Sequence, residues 1–158
     1  MKGVSLIHAG EYKPNNFTPV VGAMELADYV ITITDNVNKF PDYTMKKRSN
    51  DDGAEIVIVQ RQDSLVNWVR EQVRNIFILT YTANEITVNK QPWRKNERLE
   101  KQAHAIELCG EHLAAIQLCR KHYHLSNKKV KYWGGKVRDL RSSIEAWHES
   151  DKGRYKNI

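Results

Sequence analysis

The sequence predicts an all-α fold, an antiparallel up-down four-helix bundle with an irregular N-terminal arm and a short β-prone insertion between its first two helices. Three observations predict it. Val130, Trp133, Val137, Leu140, Ile144 and Trp147 recur at alternating spacings of three and four, which draws one apolar stripe down a helix. A similar stripe runs through Leu65, Val69, Val73, Ile76, Leu79, Ala83 and Ile86. Connections between the helical stretches are mostly short, which makes sequence neighbours antiparallel neighbours.

Residues 1–20 carry Gly10, Pro14, Asn15, Asn16 and Pro19 and read as an arm. A first helix is expected from about Val21 to Asn38, built on Met24, Leu26, Ala27, Val30, Ile31 and Ile33, although the Tyr29–Thr34 run is rich in β-branched residues. Phe40-Pro41 closes it, because the residue before proline is pushed out of helical geometry. Residues 45–63 differ in kind: a polar, turn-like stretch, Met45 to Gly53, precedes the β-prone run Ala54 to Gln60, and together they read as an exposed loop with a short strand or hairpin. Asp63 or Ser64 caps the second helix, which runs to about Asn89. Gln91-Pro92-Trp93 breaks the chain again. The third helix is expected from about Asn96 to Tyr123, with Leu99, Ala103, Ile106, Cys109, Leu113, Ile116 and Cys119 inward. Ser126 caps the fourth, and Leu125 and Val130 occupy the two positions of a hydrophobic staple. The bundle spans 21–150 as one domain, and the polar tail 151–158 is expected to fray. Trp133 and Trp147 lie on the apolar stripe and are expected in the core.

A chain of 158 residues buries roughly 70% of its unfolded surface and needs no disulfide or metal to fold. Cys109 and Cys119 lie ten residues apart in one expected helix, about 15 Å. A disulfide needs Cα atoms within about 7 Å, so these two do not pair. Free thiols suit a reducing compartment. The N-terminus has no secretory apolar run, and no stretch approaches the apolar length of about 18 residues that a membrane span needs. A cytoplasmic protein without membrane contact is expected.

The net charge of +6 hides an asymmetry. Residues 1–89 hold nine Lys/Arg against eleven Asp/Glu, a balance of −2, whereas residues 90–158 hold sixteen against eight, a balance of +8. A field of one sign attracts phosphates or acidic proteins. Arg94, Lys95, Arg98 and Lys101 surround the entry to the third helix. Arg120, Lys121, Lys128 and Lys129 surround the third connection. Lys131, Arg138 and Arg141 flank the apolar stripe, and Lys136 lies elsewhere on the helix surface. Together these are expected to form an end-to-end band that binds nucleic acid through its phosphates.

Catalytic signatures are sparse. The chain has no Gly-rich phosphate loop, no Cys-x-x-Cys pair and no Gly-x-Ser-x-Gly elbow. Glu145-Ala146-Trp147-His148 supplies one Glu-x-x-His motif, but a di-iron bundle needs two, so neither metal nor cofactor is expected. His104, His112, His122 and His124 sit beside carboxylates and read as surface residues. Arg141 and His148 are seven residues apart, two turns, on one face. This resembles the Arg-x4–6-His motif of all-helical HEPN ribonucleases, in which Arg holds a phosphate and His acts as acid or base. Arg98 and His104 also fit by spacing but point about 120° apart. Gly134-Gly135 within the helix marks either close approach of another helix, such as one from a second subunit, or a kink.

Three features carry a broader resemblance: Asn38-Lys39-Phe40-Pro41; Ala83-Asn84-Glu85-Ile86; and His124-Leu125-Ser126, followed by Tyr132-Trp133 and Ile144-Glu145-Ala146-Trp147-His148-Glu149-Ser150-Asp151. In order and spacing they resemble the four-helix-bundle family that includes Avd, the accessory variability determinant of diversity-generating retroelements. Relatives of Avd are encoded in intervening sequences of bacterial ribosomal RNA genes. The resemblance covers about residues 22 to 154. The chain departs from it at Asp42, where the family usually has a basic residue, in the 45–63 insertion and in the N-terminal arm. The resemblance implies a non-enzymatic homopentamer with a basic surface. Its partners would be a reverse transcriptase and template RNA or RNA/cDNA, in support of mutagenic cDNA synthesis. The intervening-sequence branch implies the same bundle without a reverse transcriptase.

Overall fold

The structure, a computed structural model, describes residues 15–50, 53–60 and 64–158; most of the expected N-terminal arm lies outside the described residues. Among the described residues four helices form an antiparallel up-down bundle: α1 (Thr18–Thr34), α2 (Leu65–Glu85), α3 (Lys95–Tyr123) and α4 (Asn127–Arg154). Each helix packs against its sequence neighbours, and α1 closes the square against α4. Between α1 and α2 lies a hairpin of β1 (Tyr43–Asn50) and β2 (Gly53–Gln60), antiparallel from Tyr43↔Gln60 to Asn50↔Gly53.

The helix limits follow from local chemistry. Asn15 Oδ1 accepts from the Phe17 amide at 2.9 Å, and Pro19 sits in the first turn of α1, where its missing N–H is no loss. This helix ends at Thr34, four residues before the expected Asn38. The Thr34 hydroxyl turns back onto the Val30 carbonyl at 2.6 Å, and Asn36 Oδ1 accepts from the amides of Asn38 and Lys39. Such side-chain bonds favour a turn over a further helical turn. Ser64 caps α2 by accepting from the Asn67 amide at 3.0 Å. α2 stops at Glu85, short of the expected Asn89, and a 3-10 turn (Pro92–Arg94) leads into α3.

Phe40 is fully buried, 5.1 Å centroid to centroid from Tyr123. Asp42 is also buried and accepts a hydrogen bond from the Tyr123 hydroxyl. Burial first, and Asp42 second, raise the Tyr123 phenol above its ordinary pKa. Asp42 therefore ties the segment after α1 to the end of α3.

α4 fulfils its stripe: Trp133, Val137, Leu140, Ile144 and Trp147 are all buried. Gly22 of α1 allows a close approach to α4, since a Cβ there would stand 3.1 Å from Leu140 Cδ1. Within this chain Gly134 and Gly135 do not play that part. No kink breaks α4 into two elements at this pair, Gly135 has open space where a Cβ would be, and Gly134 faces the Arg138 guanidinium.

The inward face of α3 differs from the expected one. Cys109, Ile116 and Cys119 are buried, but Ala103 is exposed and Leu99, Ile106 and Leu113 are only half-buried. Arg98, Gln102, Ala105, His112, Ala115 and Tyr123 complete the buried face instead. The expected fraying after Ser150 is also corrected. Asp151 is buried inside the last turns of α4, and Tyr155 packs with Ile86 and Val88.

Candidate nucleic-acid interface

The α3–α4 connection gathers basic residues at one end of the bundle. α3 finishes on His124 in the left-handed conformation (φ 55°), and the Leu125 amide returns to the Arg120 carbonyl at 3.1 Å. This tight reversal lets α4 start beside the end of α3. Ser126 caps α4 by accepting from the Lys129 amide at 3.1 Å. Lys128, Lys129 and Lys131 follow at once, with no acidic residue in the first turn. Cations at a helix N-terminus oppose the helix dipole, typically at about 0.3–1 kcal/mol each. The dipole and the lysines thus add to one positive field.

The field opens into a groove of about 840 Å³ along α1 and α4, lined by Tyr29, Ser126, Lys128, Lys129, Lys131, Tyr132, Gly135, Lys136 and Asp139. Four of these are lysines, and Asp139 is the single acid. Tyr29 and Tyr132 meet edge to face at 5.3 Å between centroids, and Lys136 Nζ stands 5.7 and 5.2 Å from the two rings. The Tyr29 phenol is raised above its ordinary pKa by burial, then by Tyr132. Tyr132 remains 57% exposed.

A second depression of about 530 Å³ lies on the other side of α4, against α3. Arg120, Lys131, Gly134 and Arg138 line it. Arg120 donates to Asn127 Oδ1 at 2.6 Å. The bare Cα of Gly134 leaves room for the Arg138 guanidinium, 3.2 Å from where a Cβ would sit. Lys131 borders both depressions, so the two form one basic end.

The expected band does not continue to the far end. Arg94 is bonded to Glu97 at 2.9 and 2.8 Å, and Lys95 donates to the Ile158 carbonyl at 2.9 Å. Arg141 faces Glu145 at 3.9 Å. Lys101 is half-buried one turn after Glu97, and Lys121 lines a separate hollow with Leu65, Leu118 and His122. Arg98 is a correction: it is 8% exposed, beneath the surface rather than on it. Its Nε donates to Asp151 Oδ2 at 2.7 Å and its Nη1 to the Ile86 carbonyl at 2.8 Å, while its guanidinium lies 5.3 Å from the Trp147 ring centroid. A buried cation needs these partners, and they take it out of reach of a phosphate.

The histidines divide. His104, His122 and His124 are exposed, as expected of surface residues. His112 is fully buried, which corrects its assignment to the surface. Trp133 Nε1 donates to His112 Nε2 at 3.0 Å, so Nε2 is the acceptor and the ring proton is on Nδ1, which donates to Gln72 Oε1 at 2.8 Å. Burial pulls the His112 pKa down to about 4, so the ring is neutral. His148 Nδ1 lies 2.9 Å from Gln102 Oε1, and Gln102 Nε2 donates to Asp151 at 2.6 Å. His148 is therefore the donor in that pair. Burial, then Lys152, lowers its pKa. Cys109 and Cys119 are buried free thiols, both pushed up to about 12 by burial. Among the described residues no three His, Cys, Asp or Glu side chains converge on a metal position, and no helix is long and apolar enough to cross a membrane.

Sequence reading missed Tyr29 and Tyr132. The available signal was the four-residue spacing of Tyr132 and Lys136, which stacks them on one helical face. Comparison of the chain with protein-family models, with curated proteins and with solved structures found no match.

Proposed function

We propose that this chain is a non-enzymatic RNA-binding bundle and, in the manner of the Avd-like proteins it resembles, an accessory to a reverse transcriptase. One observation carries the RNA reading: Lys128, Lys129, Lys131 and Lys136 share a single groove with two tyrosines and one acid. Each lysine that meets a phosphate releases counterions, which gives affinity without sequence reading. The resemblance supports the finer parts, namely template RNA or RNA/cDNA as ligand and a reverse transcriptase as partner. It also supports a homopentamer. Surface for such assembly exists between α1 and α2, where Met24, Ile31 and Ile78 are exposed around an apolar hollow of about 400 Å³. The ribonuclease alternative draws less support, because Arg141 faces Glu145 and His148 Nδ1 is engaged by Gln102.

The test compares RNA affinity of the parent with a Lys128→Glu/Lys131→Glu/Lys136→Glu variant and with an Arg94→Glu/Lys95→Glu control at the far end. The groove variant is expected to lose binding and the control to keep most of it. Equal loss in both, or none in either, contradicts the proposal. Light scattering reads the pentamer, and absence of RNA cleavage by the parent, with His148→Ala alongside, checks the non-enzymatic part.

A further inference from the structure

We infer that the α1–α4 groove takes unpaired RNA, with a base stacked on Tyr132 and the sugar–phosphate chain lying along the lysines. This rests on the RNA-binding reading above and adds the strand state of the ligand. Phosphate contacts alone do not distinguish a duplex from a single strand. The tyrosines do. In an A-form duplex the bases are stacked on one another and present no free face to a side chain. A single strand offers every base as a π-surface, and grooves that bind it pair a cationic track with aromatic platforms.

The geometry supplies both parts. Trp133 takes the core position, which leaves its neighbour Tyr132 on the outside, more than half exposed. The ring is not loose: Tyr29 of α1 meets it at 5.3 Å, and Lys136 Nζ stands 5.2 Å from its centroid. An aromatic residue held in place and left exposed has little ordering entropy left to lose when a base arrives. Lys128 and Lys136 are eight positions apart, about 12 Å of helix, so the footprint is a few nucleotides. An acidic polypeptide would use the same lysines but has no need of an exposed ring beside them.

The experiment measures affinity for three probes: a short homopolymer RNA, a duplex RNA of equal length and poly-L-glutamate. The proteins are the parent, Tyr132→Leu, Tyr132→Phe and Trp93→Leu. Trp93 is 76% exposed at the far end of the bundle and serves as the control aromatic. The parent is expected to prefer the single strand. Tyr132→Leu is expected to lose roughly 5- to 100-fold on the single strand, with its salt slope and its duplex affinity unchanged, while Tyr132→Phe and Trp93→Leu hold. Single-strand affinity that Tyr132→Leu leaves intact, or equal binding of duplex and single strand, overturns the inference and leaves the RNA reading standing. Binding of poly-L-glutamate but of neither RNA overturns both.

Discussion

The inner faces of α3 and α4 lie against each other, yet they are built from different chemistry. α4 offers Trp133, Val137, Leu140, Ile144 and Trp147. α3 offers mostly small residues, Ala105, Cys109, Ala115 and Cys119, beside Ile116 and Tyr123, and sets Arg98, Gln102 and His112 among them. The polar residues reach across to specific partners: Arg98 and Gln102 to Asp151, His112 to Trp133 and to Gln72. An apolar stripe tolerates small axial slips, because hydrophobic burial has no direction. A hydrogen bond does not tolerate them, since it fails beyond a few tenths of an ångström and a few tens of degrees. The difference teaches that α4 supplies burial while α3 supplies register. The tyrosine pair is a separate matter: Tyr29 comes from α1 and Tyr132 from α4, and the two rings meet where those helices close on each other.

The largest way to break this division is Asp151→Ala. It strands the Arg98 guanidinium in the interior, and removing one partner of a buried pair costs about 3–5 kcal/mol. Urea unfolding is expected to show that loss, and a combined Arg98→Met/Asp151→Leu replacement to recover most of it. A cost near zero for Asp151→Ala would mean that the pair does not fix α3.

Proton linkage at His112 comes next. The native ring stays neutral down to about pH 4, whereas the unfolded ring takes a proton near 6.5. The unfolded state therefore binds more protons between those values. Stability from neutral His112 is whole above pH 6.5 and declines as pH falls toward 4, by on the order of 3 kcal/mol. His112→Gln is expected to flatten this part of the stability–pH curve. A curve of the same slope in the variant would assign the effect to other groups.

Trp133→Phe separates the two chemistries at one site. It keeps most of the apolar contact but leaves His112 Nε2 without its donor, which costs about 1–3 kcal/mol by the penalty for an unsatisfied buried acceptor. A neutral result in chemical denaturation would show that burial alone seats α4. The smallest effect is a gain: Gly110 lies within α3 with nothing near the position of a Cβ. Gly110→Ala is expected to stabilise by about 1 kcal/mol through helix propensity, visible as a higher denaturation midpoint.

The same contrast decides what was legible in the sequence. The α4 stripe, the Ser126 cap, an α2 cap at Asp63 or Ser64 and the hairpin segment follow from patterns within a few residues and are legible. The α3 face is not, because Arg98 and His112 count as outward residues in any pattern of hydrophobicity. Their partners lie 53, 40 and 21 positions away in the chain. The same holds for the tail, where Asp151 and Tyr155 look like polar fraying until Arg98 and Ile86 are placed beside them. At the candidate interface the lysines of early α4 were legible as charge. Their separation from Arg94, Arg98 and Arg141 was not, since Glu97, Asp151 and Glu145 claim those cations. Nor was the tyrosine pair, which exists only once α1 closes against α4.

The most direct test of the central claim, that this groove grips RNA through its lysines, is the slope of log affinity against log salt. Four lysines meeting phosphates on a single strand predict a slope near −3, from about 0.7 per contact. The Lys128→Glu/Lys131→Glu/Lys136→Glu variant is expected to lose most of that slope. RNA binding by the parent that ignores salt, or a full slope surviving in the variant, would contradict the account.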